Sequence, residues 1–127
     1  MHEMPVTQAL LDLALKHADG RRITDVYLEV GRMSAIVPDS VEVFFQYLSE
    51  GTLAEGADLH FTIRPLEMTC QDCDREMDLS QWAAENPQLV MQKAFRRGCQ
   101  CGGKHLQVSG GVSFGLVSID VEDGGSD

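Results

Sequence analysis

Two close cysteine pairs constrain this chain more than any other feature: Cys70-x-x-Cys73 and, beyond residues 74–98, Cys99-x-Cys101. Two such turns brought face to face set four sulfurs at the corners of a tetrahedron, the coordination that Zn(II) accepts with Zn–S distances of about 2.3 Å. The segment 67–105 has only Met68, Met77, Leu79, Trp82, Leu89, Val90, Met91 and Phe95 to pack. A core that small needs a metal to organise it, because binding free energy is then folding free energy. Four protein ligands leave no open position, so the zinc is read as structural. A redox dithiol would sit at the start of a helix in a parallel α/β setting, a pattern this segment lacks. The C-x-C turn is tighter than C-x-x-C and is expected not to form the same nest of amides. Four-sulfur ligation is then reached with strain, or with His105 in place of one sulfur.

Composition narrows the function. The 127 residues, 43% of them hydrophobic, suffice for one domain or one domain with an inserted lobe. Ten Lys and Arg against 20 Asp and Glu give a formal charge of −10, which repels polyanions and disfavours nucleic acid. No window approaches the ~20 apolar residues of a membrane span, and the N-terminus lacks the features of a secretory signal. A cytoplasmic protein is expected.

Hydrophobic spacing orders the elements. Val6, Ala9, Leu10, Leu13, Ala14 and His17 recur with helical period over residues 4–18, with Gly20 as the stop. Val26, Leu28 and Val30 alternate as in a strand with one buried face. Pro38-Asp39-Ser40-Val41-Glu42 reads as a capped helix start, with Asp39 as the cap, and Val41, Phe44, Phe45 and Leu48 form its apolar stripe. A strand follows at about 57–64. Regularity then lapses, with Pro87 in the middle of the gap, until Leu106 opens one long strand or a bent pair to Val121. A parity switch near Gly115 predicts a bulge there.

Met1-His2-Glu3 is the other chemically loaded segment. The terminal amine, the His2 amide and imidazole nitrogens and the Glu3 amide can make consecutive chelate rings with four nitrogens in a plane, which suits Ni(II) or Cu(II). A bulky His at position 2 should keep the initiator Met in place. By spacing alone the signal is weak: a His at position 2 is usually an exposed terminal residue, and Glu3 complements a helix dipole.

Met1-His2-Glu3-Met4 opening an amphipathic helix, Gly31-Arg32-Met33-Ser34-Ala35 after the first strand, the helix bearing Phe44-Phe45, and a cysteine segment returning through a Val/Ile-rich last strand together resemble the HypA/HybF family of hydrogenase-maturation nickel chaperones. The resemblance runs through essentially the whole chain. It implies an α+β fold in which two helices lie on a three-stranded sheet, with a zinc-ribbon-like lobe inserted before the last strand. The nickel domain would take residues 1–66 plus 106–127 and the zinc lobe residues 67–105. The resemblance also implies Ni(II) as transferred cargo at Met1, His2 and Glu3, and structural Zn(II) at Cys70, Cys73, Cys99 and Cys101. Expected partners are a nickel-binding GTPase and the hydrogenase large subunit, with urease served in some members. The second pair departs from the family's usual C-x-x-C: Gly98 stands where its first Cys would be and Cys99 lies one residue later. Cys99 is expected to ligate from a distorted turn.

The chain offers no nucleophile, base and oxyanion set and no phosphate-binding glycine loop, so it is read as a carrier and not an enzyme. The rival reading is a zinc-stabilised protein-interaction module without nickel transfer. Among other polar residues, His17 is placed on the buried helix stripe, His60 outward on its strand, and His105 near the sulfurs, while Met68, Met77 and Met91 are read as packing residues.

Overall fold

The computed structural model describes residues 3–82 and 84–122. Met1 and His2, which carry most of the nickel expectation, and the 123–127 tail lie outside the described residues. The elements run α1 (Glu3–Ala18), β1 (Ile23–Gly31), α2 (Pro38–Leu48), β2 (Asp58–Arg64), β3 (Glu67–Cys70), a 3-10 turn at Ser80–Trp82, α3 (Pro87–Arg97), β4 (Leu106–Gly110) and β5 (Phe114–Val121). One sheet has the order β2-β1-β5, with β5 antiparallel to β1, and a second is the antiparallel pair β3-β4. The fold is α+β with a zinc-ribbon-like insert, and it carries three helices where two were expected. No helix among the described residues is long and apolar enough to cross a membrane.

The chain divides into two compact units. The first takes the described residues up to Val30, Ala35–Ile63 and those from Phe114 onward; the second takes Gly31–Ser34 and Arg64–Ser113.

In the first unit, Val26 and Leu28 of β1 are sealed from solvent against Leu10, Leu11 and Ala14 of α1 and Val41 and Phe45 of α2. Full burial of a side chain such as Phe45 or Leu11 stabilises the fold by about 1.5–3 kcal/mol. The buried face of α1 is Thr7, Leu10, Leu11, Ala14 and Ala18, rotated from the expected stripe, so that Ala9, Leu13 and His17 are exposed. Thr7 can occupy a buried position because its hydroxyl donates to the Glu3 carbonyl one turn back. Asp39 is not the cap of α2. The helix starts two residues earlier, with Val37 at the N-cap making no side-chain cap bond and Pro38 in the first turn, where a missing N–H costs nothing. The Val37 N–H instead donates to the Glu3 carboxylate (Oε2, 3.3 Å).

The expected long strand or bent pair from 106 to 121 is two strands in separate sheets, divided at Gly111–Ser113. The parity switch is a bulge: Tyr27 pairs with Ser118 and Leu28 with Leu116, leaving Val117 as the extra residue. Leu116 and Ile119 therefore both reach the core while Val117 stays exposed. On the polar side of β1, His60 bonds Asp25 (2.8 Å) and stacks on Tyr27, whose hydroxyl donates to Asp120 (2.8 Å).

In the second unit, Leu66, Met68, Met77, Val90 and Ala94 form the core, with Met91, Leu106 and Val108 packed against it. Helix α3 lies in the gap that the sequence leaves without regular structure, around Pro87. Pro87 is the first helical residue, after Asn86, whose side chain accepts the Gln88 N–H (2.8 Å). Val90 and Ala94, one turn apart, are its buried residues, and Gly98 caps its end at φ 77°.

Candidate metal centre

Strand β3 ends at Cys70, the turn after it carries Cys73, and the turn between α3 and β4 carries Cys99 and Cys101. Pairing of Cys70 with Leu106 brings the two turns together. All four sulfurs lie within 4.8 Å of one another, and the cluster contains no other His, Asp or Glu. The two shortest contacts each join one residue from either pair: Cys70 to Cys101 at 3.7 Å and Cys73 to Cys99 at 3.7 Å. A disulfide would require about 2.05 Å. The edge of a tetrahedron with Zn–S bonds of ~2.3 Å is about 3.8 Å. The four thiols thus fit Zn(II) with no open position, and they run from the fully buried Cys70 to the exposed Cys101.

The C-x-C turn is less distorted than expected. In the first turn the Cys70 N–H donates to Arg75 O (2.9 Å) and the Asp74 N–H to Cys70 O (2.8 Å). In the second, the Cys99 N–H donates to Gly103 O (2.9 Å) and the Gly102 N–H to Cys99 O (2.9 Å). The second turn is the first shortened by one residue. Each places a left-handed residue after its second cysteine, Asp74 at φ 61° and Gly102 at φ 89°, a conformation glycine adopts without steric cost. The expected loss of amide donors is also corrected: Arg75 N–H is aimed at Cys73, Cys101 N–H at Cys99 and Gly103 N–H at Cys101. Backbone dipoles of this kind stabilise thiolate charge.

His105 does not substitute for a sulfur. Its Nδ1 bonds Asp72 Oδ1 (2.9 Å), its carbonyl accepts the Gln71 N–H (2.8 Å), and its side chain is otherwise exposed. It ties the x-x of the first turn to the chain leaving the second. The His105 hydrogen bond also holds the Asp72 carboxyl below its ordinary range. Gly103 makes room for this strut, because a Cβ there would lie 2.2 Å from Asp72 Oδ2. Sequence spacing marked the sulfurs but not Asp72; an Asp within C-x-x-C facing a His beyond the second pair was the available signal. Met68 and Met77 are packing residues as read.

Cys99 and Cys101 are driven apart in acidity. The Cys101 N–H draws Cys99 down to about 7. At Cys101 the Gly103 N–H is the largest single influence and acts in the lowering sense, but the Cys99 sulfur, burial and the Cys70 and Cys73 sulfurs together outweigh it and push the thiol up to about 12. A metal ion must displace these protons, so zinc affinity rises with pH and falls as Cys99 reprotonates below about 7. Competition with a chromophoric chelator between pH 6 and 8 should show affinity changing about tenfold per pH unit for each proton displaced. A flat profile would exclude thiolate ligation.

Residues 1–121 match the family model described as "Hydrogenase/urease nickel incorporation, metallochaperone, hypA". The chain is 35% identical over 124 residues to hydrogenase maturation factor HypA of Aeromonas salmonicida (strain A449), covering 95% of this chain and 99% of that one. It is 31% identical over 125 residues to hydrogenase maturation factor HybF of Escherichia coli (strain K12), covering 96% and 100%. A solution structure of a HypA protein superposes with TM-score 0.69 at 22% identity over 96% of this chain and 97% of that one. That of the Ni metallochaperone HypA from Helicobacter pylori gives 0.61 at 20% identity over 94% and 96%.

Proposed function

The chain belongs to the HypA family of hydrogenase maturation factors, and from that premise we propose that it carries Ni(II) to nickel-iron hydrogenase during maturation, with urease as a second recipient. The observation that carries this reading is the match over residues 1–121 to a nickel-incorporation family, in a chain headed by Met1-His2-Glu3. The terminal amine, the His2 imidazole and amide, and the Glu3 amide hold the ion through nitrogen. The Glu3 carboxylate accepts the Val37 N–H, which ties the start of α1 to the start of α2. Transfer is ligand exchange: an acceptor's ligands replace the nitrogens one at a time, and protonation of amine and imidazole favours release as pH falls. Cys70, Cys73, Cys99 and Cys101 hold Zn(II), which organises the second unit and takes no part in catalysis.

On this reading the chain is a carrier and not an enzyme. It works in the cytoplasm with a nickel-binding GTPase that drives transfer to the hydrogenase large subunit. Nickel is handled by the α+β unit and zinc by the cysteine-bearing unit. In untagged protein, His2→Ala should abolish stoichiometric nickel uptake measured by calorimetry while zinc content and circular dichroism stay unchanged. An N-terminal extension that blocks the amine should weaken uptake in the same way. Equal nickel uptake by His2→Ala would overturn the carrier reading and leave a zinc-stabilised protein-interaction module.

A further inference from the structure

Arg32 supplies no metal ligand, yet it stands at the rim of a cavity of about 260 Å³ built wholly from the second unit. The floor of the cavity is apolar. Leu66 and Val90 are buried there, and Leu79 and Trp82 are half-buried and face the opening. Arg97 lies over the Trp82 ring at 4.6 Å and holds it in place. The rim is charged and unbalanced: Glu67, Glu76 and Asp78 set carboxylates around the mouth against the guanidinium of Arg32, which already donates to the Glu85 carbonyl (3.2 Å). The Asp78 carboxylate accepts the Ser80 N–H (2.9 Å) and hydroxyl (2.6 Å), which fix its orientation and favour its charged form.

We propose that this cavity is a docking pocket for a basic segment of a partner protein, which seats one leucine-sized side chain against Leu79 and Trp82 and sets Lys or Arg beside Glu67 and Glu76. Size and charge decide the occupant. Pockets that enclose a small molecule run to roughly 300–1,000 Å³; a smaller open hollow suits a single large side chain, the way an interface anchor is seated. An acidic segment would bring like charges to the rim, whereas a basic one is oriented and selected there. The leucine supplies affinity by leaving water. The use of the pocket does not depend on whether the chain carries nickel.

The probe is a blocked heptapeptide with one central leucine between paired lysines, titrated into the full-length, zinc-loaded chain at ~0.15 M salt, where charges more than about 8 Å apart are largely screened. Emission of Trp82, the sole tryptophan, should shift to the blue and saturate as the leucine displaces water from the ring. Serine in place of the leucine should weaken binding about tenfold or more, the loss of one buried apolar side chain. Glu67→Lys with Glu76→Lys should weaken binding of the lysine peptide by a similar factor, and should bind a peptide with glutamates in place of the lysines, which wild type rejects. A misfolded chain could not gain that affinity. Amide shifts on binding should centre on Leu66, Leu79 and Trp82. A serine peptide that binds as tightly as the leucine peptide, shifts centred on the first unit, a charge reversal without the exchange of preference, or no saturable change would each overturn the proposal.

Discussion

Removing zinc is expected to unfold the second unit while the first remains folded. The second unit buries only Leu66, Met68, Met77, Val90 and Ala94 in its core, against the larger set centred on Leu11, Val26, Leu28 and Phe45 in the first. Apolar burial of that size does not offset the backbone entropy of ordering residues 64–113. The tetrad supplies what is missing, since structural zinc in small domains contributes an apparent ~10–16 kcal/mol at neutral pH. Cys70→Ser should act like a chelator, because it replaces the one fully buried sulfur with a hard, protonated hydroxyl. Hydrogen exchange followed by mass spectrometry should show protection lost throughout 64–113 and retained in α1, β1 and α2. Trp82, the sole tryptophan, packs against that core with Arg97 over its ring at 4.6 Å. Its emission should shift to the red in the same step. Undiminished protection of α3 and β4 in zinc-free protein would show that the apolar cluster suffices.

The second large effect is expected at Gly111. It sits at φ 88°, and a Cβ there would lie 2.4 Å from Pro65 O and 2.7 Å from the Leu66 Cα. A Cβ on Gly31 would in turn lie 2.3 Å from the carbonyl carbon and oxygen of Gly111. Three backbone segments are therefore stacked at van der Waals contact, and no side-chain rotation can relieve an added methyl. The stack is locked by Met33 N–H to Gly111 O (2.7 Å) and Gly31 N–H to Ser113 O (2.8 Å). Gly111→Ala should cost about 4 kcal/mol or more, in the tail of the distribution for single substitutions, measured by urea denaturation of zinc-loaded protein. Gly20→Ala is the control: its φ is 86° but nothing lies within 4 Å of the added carbon. It should cost only the left-handed backbone penalty, about 1–2 kcal/mol. Equal losses at the two positions would mean that backbone conformation, and not crowding, dominates at Gly111.

Legibility in the sequence followed the range of each physical signal. The cysteine spacing was enough to anticipate a four-sulfur cluster, because pairs on turns have few ways to converge. Period-two alternation located β1 and β2, since a half-buried strand shows it directly. The buried face of α1 departs from the apolar stripe because Thr7, a polar residue, is part of it: a hydroxyl that bonds the preceding turn can be buried at little cost. Helix α3 was hidden by Pro87, whose meaning depends on whether it lies inside a helix or at its first residue. The Asn86 cap and Gly98 stop were present but were not combined with Val90 and Ala94. The split between β4 and β5 could not be read from Val and Ile alone, because their partners, β3 and β1, are set by long-range pairing. The reach of Glu3 to Val37 spans 34 positions and leaves no local trace.

The crosswise sulfur contacts have a consequence for how this chain can vary. Because Cys70 meets Cys101 and Cys73 meets Cys99, a bound ion staples both ends of the span from 74 to 98. Closing a flexible loop grows costlier only logarithmically with its length, about 0.6 kcal/mol for each doubling. Insertions and deletions between the staples are therefore cheap, whereas a residue added within either turn would shift a sulfur off its corner. Within the 74–98 span, the positions away from Met77, Val90 and Ala94 can change in number while the metal geometry stays the same.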